Sequence, residues 1–177
     1  MNIKESYNIV HHNIRVSKLA ERIAYAIGLD DEICQGISVA GVFMDLGKMA
    51  MDNEVFNSSR DLTHDEYEYV KQHTTKSTQI LMQANHISKD VLMNIIHHHE
   101  NYDGTGYPNN LVGNQIPMGA RILKICDVFY ALVEKRPFRE DYSKKEAIQV
   151  MDKELHKFDP AIYPIFKDIV TSSKIYM

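Results

Sequence analysis

Helical periodicity runs through almost all of this 177-residue sequence and constrains its fold more than any other feature. In the first segment, from about Ser6 to Ile27, apolar residues recur at three- and four-residue steps, and Gly28 then favours a helix end. Similar stretches follow along the chain, and none shows the period-two alternation that is typical of a strand. The sequence therefore predicts an all-α fold of roughly six to eight helices.

Capping residues indicate where several of these helices begin. Thr63 and Glu66 match the capping-box pattern and predict a helix that runs to about Ala84. The stretch from residue 101 to residue 117 is rich in glycine and proline, so it is expected to be a loop. Other helix starts are predicted by the same kinds of residue: Ser88, Pro117 in a first turn, Ser143 with Glu146, and Asp159-Pro160.

Length and charge limit the classes of protein to consider. A chain of this size fits one domain, residues 1–177, and its net charge of −4 argues against a general binder of DNA or RNA. No apolar run approaches the roughly 18 residues of a membrane span, and the N-terminus has no signal-peptide core. Cys34 and Cys126 are too few for a disulfide framework. These features predict a cytoplasmic protein that is not embedded in a membrane.

Several histidine and aspartate side chains fall where core residues belong. His12 and His73 lie on apolar helix stripes, where a lone histidine is more often a hydrogen-bonded core residue than a ligand. Asp127 lies in a helix that is apolar around most of its circumference, so its carboxylate needs either an arginine partner or a cation. Asp45 follows an apolar run and could be an ordinary residue at a helix end.

The combination of these residues favours a metal site. Three predicted helices each direct a histidine or an aspartate inward, and a fourth ends in His97, His98 and His99. Imidazole and carboxylate ligands together suit Fe, Mn, Zn or Ni better than Mg or Ca. Two divalent ions among them would remove the cost of burying these polar groups and would supply a hydrolytic centre.

Two motifs are specific enough to compare with a family. They are HHENYDGTGYP at residues 98–108 and MDLGKM at residues 44–49. Further segments follow in a matching order: HNIRV (12–16), LTHDEYEYVKQH (62–73), GNQIPMGARILKICDVFYAL (113–132), RPFR (136–139) and FDP (158–160). Together they resemble the HD-GYP subgroup of the HD metal-dependent phosphohydrolases, over about residues 8–170. The resemblance implies an HD-domain-like helical bundle.

The resemblance also implies a set of metal ligands. Two divalent ions, Fe or Mn in first place with Zn or Ni as alternatives, would share Asp45 as a bridging ligand. His12 and Asp127 would complete the protein ligands of the first ion. The remaining ligands of the second ion would be three histidines: His73, His98 and His99.

Substrate and partners follow from the same resemblance. Lys48 would reach a substrate phosphate, while Tyr107, Arg136 and Arg139 would hold a guanine nucleotide or its phosphates. The family typically hydrolyses cyclic di-GMP, a bacterial second messenger, to linear pGpG or GMP. Because its members are often fused to receiver or sensor domains, a receiver or diguanylate cyclase domain on another chain is an expected partner.

The sequence departs from the family pattern at three positions. Met44 stands where the family has the histidine of its HD pair, and a thioether is a poor substitute for imidazole toward Fe or Mn. Asn8 replaces a glutamate that some members use for a third metal, and Tyr130 replaces a frequent aspartate. His11 and His97 adjoin expected ligands but project about 100° away from them on a helix. Three other histidines are expected at the surface: His64, His86 and His156.

Met44 leaves three functions open. The first is a cyclic di-GMP phosphodiesterase, dinuclear and impaired by the loss of one metal ligand. The second is a degenerate module that binds a cyclic dinucleotide or a protein partner without turnover. The third is an HD phosphohydrolase that acts on another nucleotide or a phosphomonoester.

Overall fold

The computed structural model describes residues 3–56, 60–84, 86–134 and 141–172. These ranges contain nine α-helical segments and no strand beyond an isolated bridge between Asp103 and Val112. The predicted all-α fold is therefore confirmed. The helices are α1 (Ile3–Ala26), α2 (Asp31–Phe43), α3 (Asn53–Phe56), α4 (His64–Lys71), α5 (His73–Leu81), α6 (Lys89–His97), α7 (Met118–Val133), α8 (Lys144–Asp152) and α9 (Ile162–Ser172).

The first two helices form an antiparallel pair. Gly28 has φ +82°, a left-handed conformation that suits glycine, and it ends α1 as predicted. Across the pair, Asn13 donates to the carbonyl of Val42 at 3.1 Å and Ser17 donates to the carbonyl of Ser38 at 2.7 Å. Later residues of α1 thus face earlier residues of α2, and the amide N–H of Asn13 and the hydroxyl of Ser17 each donate to a backbone oxygen of the partner helix.

Helix α7 occupies the centre of the bundle and packs against α1, α2, α6, α8 and α9. Its apolar residues are buried on several sides, and the ring of Phe129 meets that of Phe166 on α9 at a centroid distance of 5.2 Å. A helix that is apolar around its circumference is stable only when neighbours cover it. The central position of α7 consequently brings Asp127 into the interior.

The capping box at Thr63 and Glu66 is confirmed, but the helix that it begins is shorter than predicted. Helix α4 ends at Lys71, and a second helix, α5, begins at His73. At Gln72 the backbone N–H donates to the carbonyl of Tyr69 at 3.1 Å, a tighter turn than that of an α-helix. The sequence offers no glycine or proline at this junction, so the periodicity alone missed it.

Other predicted helix starts are confirmed at Ser88 and Ser143, whose hydroxyl groups accept backbone N–H groups three residues further on. Two predictions were wrong in detail. Pro117 caps α7 with ψ 141° and does not lie in its first turn. Asp159 accepts the N–H of Ile162 at 3.3 Å. Helix α9 begins at Ile162, so Pro160 lies before the helix and not at its first position.

Both cysteines, Cys34 and Cys126, are buried and free. No helix in the described part of the chain combines the length and the apolar character that crossing a bilayer requires.

Candidate metal centre

Three histidines from two helices converge in the interior. His73 begins α5, while His98 and His99 directly follow α6. One ring nitrogen from each lies within 4.8 Å of the others, and the Nε2 atoms of His73 and His98 are 3.5 Å apart. The side chains of His73 and His98 are almost completely buried, so these polar atoms face one another away from bulk water.

The opposite ring nitrogens explain why these histidines suit a metal. His73 Nδ1 donates to the carbonyl of Val70 at 2.7 Å, and His98 Nδ1 donates to the carbonyl of Ile95 at 2.6 Å. These bonds place the proton on Nδ1 and leave the lone pair of each Nε2 directed into the cluster, as in metal-binding histidines. Burial, followed by the Lys48 charge, lowers the pKa of His73 to about 3, and burial also lowers the pKa of His98. Both are therefore neutral and able to bind a cation.

Asp45 adds a carboxylate beside this cluster. Its Oδ1 atom lies 3.4 Å from His73 Nε2 and 2.7 Å from Lys48 Nζ. Burial alone would raise the pKa of Asp45, but the nearby charge of Lys48 opposes this effect, and the net shift lowers the pKa. The carboxylate is thus ionised, which is the form that binds a metal ion.

A glycine and a serine place Asp45 next to α5. Gly47, in a 3-10 helix at Leu46–Ala50, donates its N–H to Ser77 Oγ at 2.8 Å. Ser77 Oγ in turn lies 2.8 Å from the carbonyl oxygen of Met44. A Cβ atom at position 47 would lie 2.2 Å from the carbonyl oxygen of His73, so only glycine permits this approach. The Leu-Gly-Lys sequence therefore brings Asp45 and His73 together.

A second group of residues comes from α1 and α7. His12 Nε2 lies 3.0 Å from Asp127 Oδ1, and Asp127 Oδ2 lies 3.9 Å from His99 Nδ1. Burial opposes ionisation of Asp127, yet the hydrogen bond from His12 and the charge of the same ring hold its pKa well below the usual range. These contacts connect the second group to the histidine cluster.

Glu134, which no sequence motif singles out, contacts the other side of His12. Glu134 Oε2 lies 2.6 Å from His12 Nδ1, and Arg15 donates to Glu134 Oε1 at 3.2 Å. Burial tends to lower the pKa of His12, but the carboxylates of Asp127 and Glu134 raise it to about 9. Glu134 lies seven residues after Asp127, two helical turns along the same face, and this spacing is the signal that could have revealed it.

Met44 is fully buried in the hydrophobic core, directly before Asp45. Its thioether therefore occupies an apolar environment. That position 44 corresponds to the family histidine stays a prediction.

The loop at residues 98–108 places Tyr107 over the cluster. The Tyr107 ring stacks on His99 with centroids 4.8 Å apart, and Lys71 Nζ lies over the rings of Tyr67 and Tyr107 at 4.6 and 5.7 Å. Burial raises the pKa of the Tyr107 hydroxyl, which therefore stays protonated at neutral pH. The loop thus presents a hydrogen-bond donor, and α4 presents a cation, near the candidate metal ligands.

Glu100 holds this loop in place. It is almost completely buried and accepts the backbone N–H groups of Asn109 at 2.7 Å and Leu111 at 3.1 Å. His97 Nδ1 lies 3.6 Å from Glu100 Oε1, which gives His97 a contact away from the cluster.

The remaining predicted residues divide into two groups. Arg136 and Arg139 lie outside the described residues. His11 is exposed and stacks on Tyr7, consistent with the expectation that it projects away from His12. Three histidines are exposed as predicted: His64, His86 and His156.

Residues 3–162 match the sequence model of a family described as HD domain. The chain belongs to the HD domain family. This membership confirms the resemblance found in the sequence and covers the whole of the candidate metal centre. The roles assigned to individual residues of the centre stay predictions.

Curated relatives of this HD domain include several cyclic dinucleotide phosphodiesterases. A cyclic di-GMP phosphodiesterase of Pseudomonas aeruginosa is 33% identical over 155 residues, which are 88% of this chain and 37% of the relative. The response regulator RpfG of Xanthomonas campestris, also named a cyclic di-GMP phosphodiesterase, is 36% identical over 82% of this chain and 39% of its own length. The 3'3'-cGAMP-specific phosphodiesterase 1 of Vibrio cholerae is 30% identical over 93% of this chain and 38% of its own. The chain thus spans less than two fifths of these relatives.

Solved structures agree on the HD-domain fold. An HDG"Y"P protein of Bdellovibrio bacteriovorus superposes with a TM-score of 0.76 at 21% identity, over 92% of this chain and 52% of that one. The HD domain of the Listeria monocytogenes phosphodiesterase PgpH gives a TM-score of 0.66 at 19% identity, over 96% of this chain and 93% of that one. At these identities the likeness concerns the fold alone.

Proposed function

We propose that this HD domain is a metal-dependent phosphodiesterase that hydrolyses cyclic di-GMP to pGpG or GMP. One observation carries the proposal: three histidine nitrogens within 4.8 Å of one another, beside the Asp45–Lys48 ion pair. Such a site combines neutral nitrogen ligands, an anionic ligand and a cationic donor, which suits metal-assisted hydrolysis of a phosphodiester. The curated relatives named for cyclic di-GMP support this substrate.

Two divalent ions would be held by the chain's own side chains, whose mixed donors suit Fe, Mn, Zn or Ni, and the family resemblance favours Fe or Mn among these. His12 and Asp127 would bind one ion and the three clustered histidines the other, with Asp45 shared between them. When bound, divalent ions supply positive charge to the phosphate and lower the pKa of coordinated water.

Lys48 supplies a positive charge beside Asp45. Its Nζ atom touches Asp45 at 2.7 Å, and its side chain is only 22% exposed, so its charge is poorly screened by water. An ammonium group has three donors, and the pair with Asp45 uses only part of that capacity. Lys48 would therefore bind a non-bridging phosphate oxygen and stabilise the charge that develops there during hydrolysis.

Tyr107 and its neighbours would position the nucleotide. The protonated Tyr107 hydroxyl would donate a hydrogen bond to the nucleotide, and Lys71 lies over the Tyr107 ring at 5.7 Å with a charge that suits phosphate. Arg136 and Arg139 would add bidentate contacts to phosphate or to a guanine edge. A receiver or diguanylate cyclase domain on another chain would regulate this activity.

The test is a metal-content measurement combined with a single-turnover assay. The protein is loaded anaerobically with Fe(II) or with Mn(II), and product formation from cyclic di-GMP and from 3'3'-cGAMP is followed by chromatography. We expect two ions per chain and faster formation of pGpG or GMP than of the product of cGAMP. A His73→Ala variant serves as the matched inactive control. A chain that holds metal but hydrolyses neither dinucleotide contradicts the proposal.

A second candidate function is favoured by Met44, whose thioether lies fully buried in the apolar core. Without a fourth protein ligand for the first ion, the chain would bind a cyclic dinucleotide or a protein partner without turnover. A Met44→His variant separates the two. If the wild type binds cyclic di-GMP without hydrolysing it and the variant hydrolyses it, the binding function is correct. A panel of other nucleotides and phosphomonoesters tests the third candidate.

A further inference from the structure

Glu134 directly follows α7, and it contacts His12 on the side opposite Asp127. Its Oε2 atom lies 2.6 Å from His12 Nδ1, while His12 Nε2 lies 3.0 Å from Asp127 Oδ1. The two carboxylates therefore contact different nitrogens of one ring. Glu134 faces Nδ1 and Asp127 faces Nε2, so Glu134 is placed to orient the ring and not to join Asp127 around a common ion.

An imidazole binds a metal through one nitrogen only when the proton resides on the other. A carboxylate that accepts this proton fixes the tautomer, fixes the ring orientation and makes the ligating nitrogen more basic. Glu134 is placed to have all three effects on His12, because its Oε2 atom contacts Nδ1 directly and its side chain is only 17% exposed. His73 and His98 have backbone carbonyls in the equivalent role, whereas His12 has a charged group.

Arg15 fixes Glu134 in turn. Its guanidinium donates to Glu134 Oε1 at 3.2 Å, so the two oxygens of the carboxylate have separate partners. The same guanidinium lies over the ring of Tyr130 at 5.5 Å. Arg15 is one turn beyond His12 on α1. Tyr130 lies on α7, one turn before Glu134, so the contacts of Arg15 join α1 to the C-terminal end of α7.

We propose that Glu134 is a positioning residue for His12, held by Arg15, and that it sets the affinity of the first metal ion. This inference rests on the metal centre of the proposed function but does not require hydrolysis of any particular dinucleotide. Because position 44 offers no imidazole to this ion, the affinity for the ion depends more strongly on the basicity of His12. Glu134 supplies that basicity through a full negative charge.

The experiment titrates the purified protein with Mn²⁺ alone and counts bound ions by electron paramagnetic resonance. In the wild type we expect two sites, of which His12→Gln removes one. Glu134→Gln keeps the size of the side chain and removes its charge. We expect it to weaken that same site by about 10- to 100-fold and to leave the site of His73, His98 and His99 unchanged. The retained second site shows that the variant is folded.

A second readout follows the ring itself. Long-range ¹H–¹⁵N spectra of the metal-free protein at pH 10, above the His12 pKa, should show the proton of neutral His12 on Nδ1, and Glu134→Ala should move it to Nε2 in part of the molecules. Glu32→Gln, at an exposed position on α2, is the matched control and should change neither binding nor tautomer.

Two results overturn the inference. One is a Glu134→Gln variant that binds both Mn²⁺ ions with wild-type affinity. The other is a wild type with a single Mn²⁺ that His12→Gln does not affect. If Glu134→Gln does not fold, Arg15→Gln decides: selective weakening of the first site supports the inference, and unchanged binding overturns it. A chain that shows the expected metal binding and hydrolyses no dinucleotide overturns the proposed function alone.

Discussion

The Nε2 atoms of His73 and His98 lie 3.5 Å apart, although 25 residues separate these histidines in the sequence. Each ring donates from Nδ1 to a backbone carbonyl, so both Nε2 atoms carry lone pairs and neither can donate to the other. Two buried acceptors that face one another are unfavourable unless a cation lies between them. This pair is therefore the part of the centre that depends most directly on a metal ion.

Replacing His98 with alanine should remove the second metal ion. The variant loses one neutral nitrogen ligand and leaves a space beside His73 that water can enter. We expect metal affinity at this site to fall by on the order of 100-fold or more, with a comparable loss of phosphodiesterase activity. Metal content after dialysis and initial rates on cyclic di-GMP are the measurements. His64→Ala, at an exposed position, is the control, and equal metal content in both variants would contradict the assignment.

Changing Met44 to histidine should have opposite effects with and without metal. Without metal, an imidazole in the fully buried position of Met44 lacks a partner and should lower the free energy of unfolding by about 1–3 kcal/mol. With Mn²⁺, binding of the ion to the folded state should raise the free energy of unfolding again. The rate of hydrolysis should rise as well. Urea denaturation with and without a chelator measures this. A variant that is destabilised equally in both conditions shows that position 44 does not face the first ion.

Local capping signals were sufficient to predict where many helices begin, because each depends on a few neighbouring residues. Thr63 with Glu66 and Ser143 with Glu146 form the expected reciprocal bonds. The break at Gln72 was missed because the polar and apolar pattern continues through it. That break arises from a tight turn at the end of α4, and no residue in the sequence marks it.

The candidate site was predictable only in part, and the difference has a physical cause. His12, His73 and Asp127 stand out in the sequence because a polar group on an apolar face needs an explanation, whereas Asp45 was singled out only by the motif at residues 44–49. Glu134 and Glu100 do not stand out, because a glutamate near a helix end is ordinary. Their roles depend on which nitrogen or N–H group lies opposite them, and only the three-dimensional structure shows that. Ligand candidates were therefore found, whereas the residues that orient them were not.

Lys48 should affect the rate of hydrolysis more than the binding of metal. Its ammonium contacts Asp45, but it is not a ligand, and the histidine cluster does not need it for its geometry. Lys48→Met keeps the length of the side chain and removes the charge. We expect kcat to fall by about 10²- to 10³-fold, as for loss of a donor to the developing phosphate charge, with unchanged metal content. Lys76→Met, on α5, is a control for loss of one charge. If Lys48→Met lowers the metal content and kcat to the same extent, Lys48 supports metal binding and not the stabilisation of phosphate charge.

The pH dependence of stability in the metal-free protein should report the contacts of His12. Despite burial, Asp127 and Glu134 raise its pKa from 6.5 to about 9, so the folded chain binds this proton more tightly than the unfolded chain. The resulting stabilisation, at most about 3 kcal/mol, is complete below pH 6.5 and is lost as the pH rises through about 9. Denaturation in a chelator at pH 6 and pH 9.5 should show this loss in the wild type and a smaller one in His12→Gln. Equal losses in both would show that another group is responsible.

Glu100 offers a test of the loop that carries Tyr107. Both of its oxygens accept backbone N–H groups, from Asn109 at 2.7 Å and Leu111 at 3.1 Å, in an almost fully buried position. In Glu100→Gln, an amide NH₂ replaces one acceptor and faces a backbone donor. We expect a loss of about 1–3 kcal/mol in the free energy of unfolding, and a lower kcat because Tyr107 is less firmly held. Glu154→Gln, at a half-exposed side chain paired with Lys157, should change stability by less than about 0.5 kcal/mol. If Glu100→Gln matches this control in stability and rate, the two hydrogen bonds do not position the loop.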